Sequence, residues 1–159
     1  MSETKKNKRL VMIASKGSLD MAYPPLIVAS TAVAMDMEAG IFFTFYGLDI
    51  INKHKYKNLK VAPLANPAAP MPVPNIIGAM PGMTMMATAM MNSWMGSANV
   101  ASIPKLLEMC MESGVRMIGC QMTMDVMGIK KEDLIDGIEI GGAATMLDFA
   151  AESDISFFV

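Results

Sequence analysis

The sequence predicts an α/β fold built on a mostly parallel sheet, and three observations carry that prediction. Short apolar runs of strand length recur at Arg9–Ser15, Ile41–Tyr46, Val115–Cys120 and Ile155–Val159. Helix-length segments with capping residues separate them. The first connection reads strand, helix, strand, and such crossovers are almost always right-handed and lay helices on the sheet faces. A parallel sheet of four or five strands, covered on both sides, follows. At 159 residues the chain suits a single domain, 1–159, carrying an uncharged Pro- and Met-rich insertion at about 61–100.

The elements follow in order. Arg9-Leu10-Val11-Met12-Ile13-Ala14-Ser15 reads as a buried strand, and Lys16-Gly17-Ser18-Leu19-Asp20 as the loop that leaves it. A helix is predicted from about Ala22 to Ala39, with Pro24 and Pro25 near its first turn and Gly40 as its C-cap. Ile41 to Tyr46 forms the second strand, and Gly47 breaks it toward a short helix at Leu48 to Asn52. Farther along, Ser102 is the N-cap of a helix with Pro104 in its first turn. Leu106, Leu107, Cys110 and Met111 form its apolar face, and Gly114 ends it. Val115 to Cys120 is the next strand. Lys130 to Ile135 is a short polar helix, Ile138-Glu139-Ile140 a short extended piece, Ala143 to Glu152 a helix, and Ile155 to Val159 the last strand.

The middle of the chain is unusual. No charged residue occurs between Lys60 and Lys105. Clustered prolines at Pro63, Pro67, Pro70, Pro72 and Pro74 make Ala62 to Pro74 an extended loop, because proline blocks both helix and ladder. Met83, Met86, Met90 and Trp94 then recur at helical spacing, beside a stripe of Met80, Ala87, Met91 and Met95. Asn75 to Met95 has the ~20 residues that a bilayer crossing needs. Asn75, Pro81, Thr84, Thr88, Asn92 and Ser93 interrupt it, however, and a core or subunit-contact helix is the stronger reading. Thioethers suit Cu(I), but this stretch brings no Cys or His to complete a site.

Charge and composition exclude some functions. A net charge of −2 gives no basic surface for nucleic acid. The lysine clusters, Lys5, Lys6, Lys8 and Arg9, then Lys53, Lys55, Lys57 and Lys60, read as solvated ends and loops. With two cysteines and no signal-like opening segment, a reducing cytoplasmic setting is expected. No metal or cofactor is expected either: Gly141-Gly142 alone matches neither a dinucleotide fingerprint nor a P-loop, and no Cys/His cluster has zinc spacing.

Chemistry then concentrates on Cys120. It closes a strand and opens a helix, where unpaired N–H groups and the helix dipole favour thiolate. Gly119 before it permits close backbone approach, and Thr123 after it could cap the helix or bond an anion. Asp125 is given a structural role. Cys110, on the apolar face of a capped helix, reads as a small buried hydrophobe. His54 lies in a lysine-rich loop and reads as solvated, so a Cys-His pair is not the favoured arrangement.

The segment Gly114 to Ile129, Gly-Val-Arg-Met-Ile-Gly-Cys-Gln-Met-Thr-Met-Asp-Val-Met-Gly-Ile, with Glu132-Asp133-Leu134 and Gly137-Ile138-Glu139, resembles the C-terminal half of DsrE/DsrF-like proteins in their peroxiredoxin-like, Met-rich branch. Ile41 to Leu48 resembles the second strand of that branch, and the likeness runs from Arg9 to the end of the chain. The resemblance implies a three-layer α/β/α sandwich on a five-stranded parallel sheet, usually assembled into oligomers. It also implies a persulfide-bearing cysteine that passes sulfur between proteins, and Cys120 matches that cysteine by its place in the motif.

On this basis Cys120 takes sulfane sulfur from a donor and releases it to an acceptor thiol, with Thr123 as an added donor and Lys16 or Ser18 contributed from the first loop. Its partners are sulfur donor and acceptor proteins or small thiols, and further copies of the chain in a homo-oligomer. Two readings compete. One is a non-catalytic assembly subunit that docks its Met-rich helix on a partner or membrane. The other is a thiol redox protein in which Cys110 approaches Cys120.

Overall fold

The computed structural model of the chain describes residues 7–62 and 80–159. Lys5, Lys6, Met71, Asn75 and the loop expected over Pro63 to Pro74 lie outside the described residues. Five strands, β1 (Arg9–Ala14), β2 (Glu38–Phe43), β3 (Arg116–Cys120), β4 (Glu139–Gly141) and β5 (Ile155–Phe158), form one sheet in the order β4-β3-β2-β1-β5. Every pairing is parallel. Helices α1 (Leu19–Ala34), α2 (Met83–Ser97), α3 (Ile103–Glu112), α4 (Gln121–Met127) and α5 (Ala143–Ala150) connect or flank them. The α/β/α sandwich expected from the sequence is therefore the fold.

Strand alternation sorts the core into two sides. Leu10, Met12, Ile41, Phe43 and Met117 pack under α1 and α3 with Leu26, Leu106, Leu107 and Cys110. Val11, Phe42, Ile118 and Cys120 point the other way, toward Met146 and Phe149 of α5. Each fully buried large side chain of the first side, Leu26 and Phe43 among them, is worth about 1.5–3 kcal/mol over exposure. On the second side the Phe149 ring lies over Gly40 and between the guanidinium groups of Arg9, at 4.5 Å, and Arg116, at 5.2 Å.

Several element boundaries differ from the sequence expectation. Helix α1 begins at Leu19, because the Ser18 carbonyl accepts the N–H groups of Met21 and Ala22. Pro24 and Pro25 consequently fall inside the helix rather than in its first turn. Having no N–H, they leave the carbonyls of Asp20 and Met21 without their usual helical donors. Nor does Gly40 cap α1. The helix ends at Ala34, Asp36 takes the left-handed conformation at φ 59°, and Gly40 sits within β2 to make room for Phe149. Aspartate is among the few side chains that tolerate that region, which is why no glycine is needed.

The second strand starts and ends three residues earlier than predicted, and a 3-10 helix runs from Phe45–Ile51 without waiting for Gly47. Met111, expected on the apolar face of α3, is 39 % exposed, whereas Leu106, Leu107 and Cys110 are buried. The polar segment predicted as a helix is a single 3-10 turn, Lys131–Asp133. Helix α2 occupies the Met-rich segment as expected, yet none of its residues is buried, and Met85, Met86, Met90 and Trp94 are exposed. Among the described residues no helix is long and apolar enough to cross a membrane.

Candidate functional site

The carboxyl edge of the sheet gathers three chain segments: the loop after β1, the turn after β2, and the junction of β3 with α4. Cys120 ends β3 and is the N-cap residue of α4, so no loop separates strand from helix. It is 4 % exposed. Thr123, 1 % exposed, lies one turn into α4, and its hydroxyl oxygen is 3.0 Å from that of Thr44, the first residue after β2. The Phe45 N–H also donates to the Thr123 oxygen, at 3.4 Å. Phe45 reaches it in the left-handed region, at φ 47°, a conformation that costs a non-glycine residue on the order of 1–3 kcal/mol.

This arrangement governs the thiol. Burial by itself pushes Cys120 up, but the donors beside it, the hydroxyl and N–H of Thr123, the hydroxyl of Thr44 and the N–H of Met122, outweigh burial and hold the group below the ordinary cysteine range. Cys110 shows the opposite balance. It is fully buried between α1 and α3, where its thiol donates to the Leu26 carbonyl at 3.5 Å. Burial pushes its pKa from 9.0 up to about 11, only partly offset by the N–H of Ser30. Both cysteines are free, and they belong to opposite faces of the sheet.

A pH dependence follows from Cys110. The folded chain holds this proton to higher pH than the unfolded chain, so the associated stability is whole below about pH 9 and is lost as pH rises toward 11. The full loss is on the order of 2–3 kcal/mol. Urea unfolding at about pH 8 and pH 10.5 is expected to show a fall in midpoint that is smaller in Cys110→Ala. Equal falls in both proteins would refute this origin.

The other sequence-predicted residues are dispersed. Gly119 faces Leu134, Leu48 and Ile138 on the side of the sheet away from Cys120. Thr123 does not cap α4, because it is already its third residue. Ser18 caps α1 through its carbonyl, and Lys16 is exposed; neither is among the groups that bond Cys120 among the described residues. Asp125 accepts from the Gln121 side chain at 2.8 Å on the outside of α4. The His54 ring, 73 % exposed, faces Asp133 at 3.5 Å. Among the described residues no group of three or more His, Cys, Asp and Glu side chains could hold a metal ion. An open groove of about 610 Å³ between Tyr56, Pro104, Leu107 and Asp136 contains neither Cys120 nor its partners.

Thr44 and Phe45 were missed because the run Phe42-Phe43-Thr44-Phe45-Tyr46 reads as one continuous strand. The one available signal was Thr44 itself, a polar residue followed by aromatics and then Gly47. Around the thiol the same segments present Phe45, Tyr46, Met122 and Val126 to solvent.

The chain is similar to proteins already described. The model of the DsrE/DsrF/DrsH-like family matches residues 6–158. Sulfur carrier protein DsrE2 of Allochromatium vinosum is 51% identical over 158 residues, which cover 96% of this chain and 98% of that protein. The uncharacterized protein YrkE of Bacillus subtilis is 32% identical over 161 residues, 98% of this chain and 99% of that one. Two solved structures share the fold. The ychN protein of E. coli aligns with a TM-score of 0.56 at 14% identity, over 96% of this chain and 99% of its own. MTH1491 of Methanobacterium thermoautotrophicum aligns with a TM-score of 0.53 at 11% identity, over 95% and 99%.

Proposed function

The chain belongs to the DsrE/DsrF/DrsH-like family, and from that premise we propose that it is a sulfur carrier which holds sulfane sulfur as a persulfide on Cys120. The observation that carries the reading is the buried, donor-surrounded thiol at the carboxyl edge of the sheet. The half-identical relative named a sulfur carrier supports it.

Loading begins with attack of the Cys120 thiolate on the outer sulfur of a persulfide or polysulfide donor. A bond forms between Sγ and that sulfur, the donor's S–S bond breaks, and the donor leaves as a thiolate. The thiolate of an acceptor, a small thiol or a protein cysteine, then attacks the bound outer sulfur. Cys120 leaves with the bonding pair. No oxidant or reductant is consumed, and no metal or cofactor enters either step. The redox alternative needs Cys110 as a resolving thiol. Placement of the two side chains on opposite faces of the sheet argues against that role.

Intact mass of the reduced protein before and after polysulfide treatment tests the proposal. The expected result is a gain of sulfur that added thiol removes again. A chain that takes up no sulfur, or that does not release it to thiol, is not a carrier of this kind.

A further inference from the structure

We propose that Thr44 is a positioning residue for Cys120, paired with Thr123 so that one hydroxyl proton of the pair meets the charge that develops on Sγ as the outer sulfur is handed over, which biases the chain toward giving sulfur away. The inference rests on the persulfide reading above and deepens it. Its basis is the 3.0 Å contact between the two hydroxyl oxygens, made across two elements that the sequence separates by 79 positions.

Proton accounting fixes what the pair can do. The Phe45 N–H occupies one acceptor position of the Thr123 oxygen. If Thr44 donates to Thr123, the proton of Thr123 is left for Cys120; if Thr123 donates to Thr44, the proton of Thr44 is left for it. Either direction leaves one hydroxyl proton free for Sγ, beside the backbone N–H groups of Met122 and Thr123. All these groups are donors in a site that water scarcely reaches, Thr123 and Cys120 being 1 % and 4 % exposed.

Such a cradle discriminates between the two states of Cys120. A thiolate carries a full charge and accepts every donor, and hydrogen bonds to a charged sulfur are the strong ones. In the persulfide, Sγ is a neutral, two-coordinate sulfur and a weak acceptor, while the outer sulfur lies one S–S bond farther from the hydroxyls. In the releasing step an acceptor thiolate attacks the outer sulfur of Cys120–S–SH. The new S–S bond forms, the bond to Sγ breaks, its electron pair goes to Sγ, and the proton stays on the transferred sulfur. Stabilisation thus appears where charge develops, on the leaving group.

Phe45 supplies the structural cost. Its N–H, on the peptide that the extended Thr44 orients, donates to the Thr123 oxygen, while its left-handed φ turns the chain away directly after, and Thr44 keeps its own N–H on the Ala14 carbonyl at 3.0 Å. Thr44 and the Phe45 N–H thus meet the same hydroxyl.

Thr44→Val, which keeps shape and removes the hydroxyl from a half-buried position, is the variant to make, with Thr44→Ser as the rescue. Two quantities are read on folded protein: the pH profile of iodoacetamide alkylation at Cys120, and the single-turnover release of sulfur from loaded protein to glutathione. Thr44→Val is expected to move the alkylation profile to higher pH and to slow release about tenfold, with Thr44→Ser restoring both. An unchanged profile, or release that is as fast as in the parent chain, overturns the inference. Should the parent chain take up no sulfur, the carrier proposal fails, whereas the alkylation profile still decides whether Thr44 positions the thiolate.

Discussion

Cys120→Ser is expected to abolish both sulfur uptake and alkylation at neutral pH, while Cys110→Ser leaves both in place. The argument is one of thiolate population and access. With a pKa of about 11, Cys110 is ionised in only about one molecule in 10⁴ at pH 7. Cys120, held below the ordinary range, is ionised in a far larger fraction. The more basic thiolate is intrinsically the better nucleophile, which offsets only part of that difference, because nucleophilicity rises less steeply than basicity. The advantage stays with Cys120. Burial widens it, because Cys110 is fully enclosed between α1 and α3 and reacts only through local opening. Brief iodoacetamide treatment at pH 7 followed by peptide mass mapping, native against urea-unfolded, reads the difference directly. Labelling of both cysteines at equal rates in the native protein, or loss of uptake in Cys110→Ser, would contradict the assignment.

Gly47→Ala is expected to cost about 3 kcal/mol or more and to lower the melting temperature by roughly 6–12 °C. A Cβ at this position would run into the carbonyl oxygen of Ala14, a backbone atom that no rotamer change can move aside. That same oxygen accepts the Thr44 N–H. Relief of the clash must therefore shift either the end of β1 or the turn that carries Thr44 and Phe45. The reciprocal contact is equally tight, since a Cβ at Gly17 would meet the Tyr46 carbonyl. The substitution should thus depress the alkylation rate of Cys120 as well as stability, although Gly47 bonds no sulfur itself. A melting temperature and alkylation rate equal to those of the parent chain would show that this edge is far more compliant than its geometry implies.

The alternation of apolar runs with capped helices was enough to give the α/β class, the parallel sheet and the position of Cys120 at a strand end, because each follows from local periodicity and chain punctuation. The burial of Cys110 was equally legible, since the period of α3 places it with Leu106 and Leu107. Neighbours along the chain also sufficed to put Thr123 beside Cys120. Its role was another matter. The hydroxyl was expected to cap a helix, and instead it meets a threonine from a different strand. Lys16 and Ser18 are not among the groups that bond Cys120 for the same reason in reverse: arrival at the same sheet edge does not dictate which side chain turns toward the sulfur. The end of α1 misled because Asp36 took the left-handed position and freed Gly40 for contact with Phe149. Sequence by itself thus determined the order of the elements and the place of Cys120 at a strand end, both being set by short-range propensity and pattern. Only the tertiary structure decided that Thr44, Phe45 and Thr123 converge on Cys120 and that Cys110 faces away, because hydrogen bonds between distant segments depend on strand order and register, which no local pattern encodes.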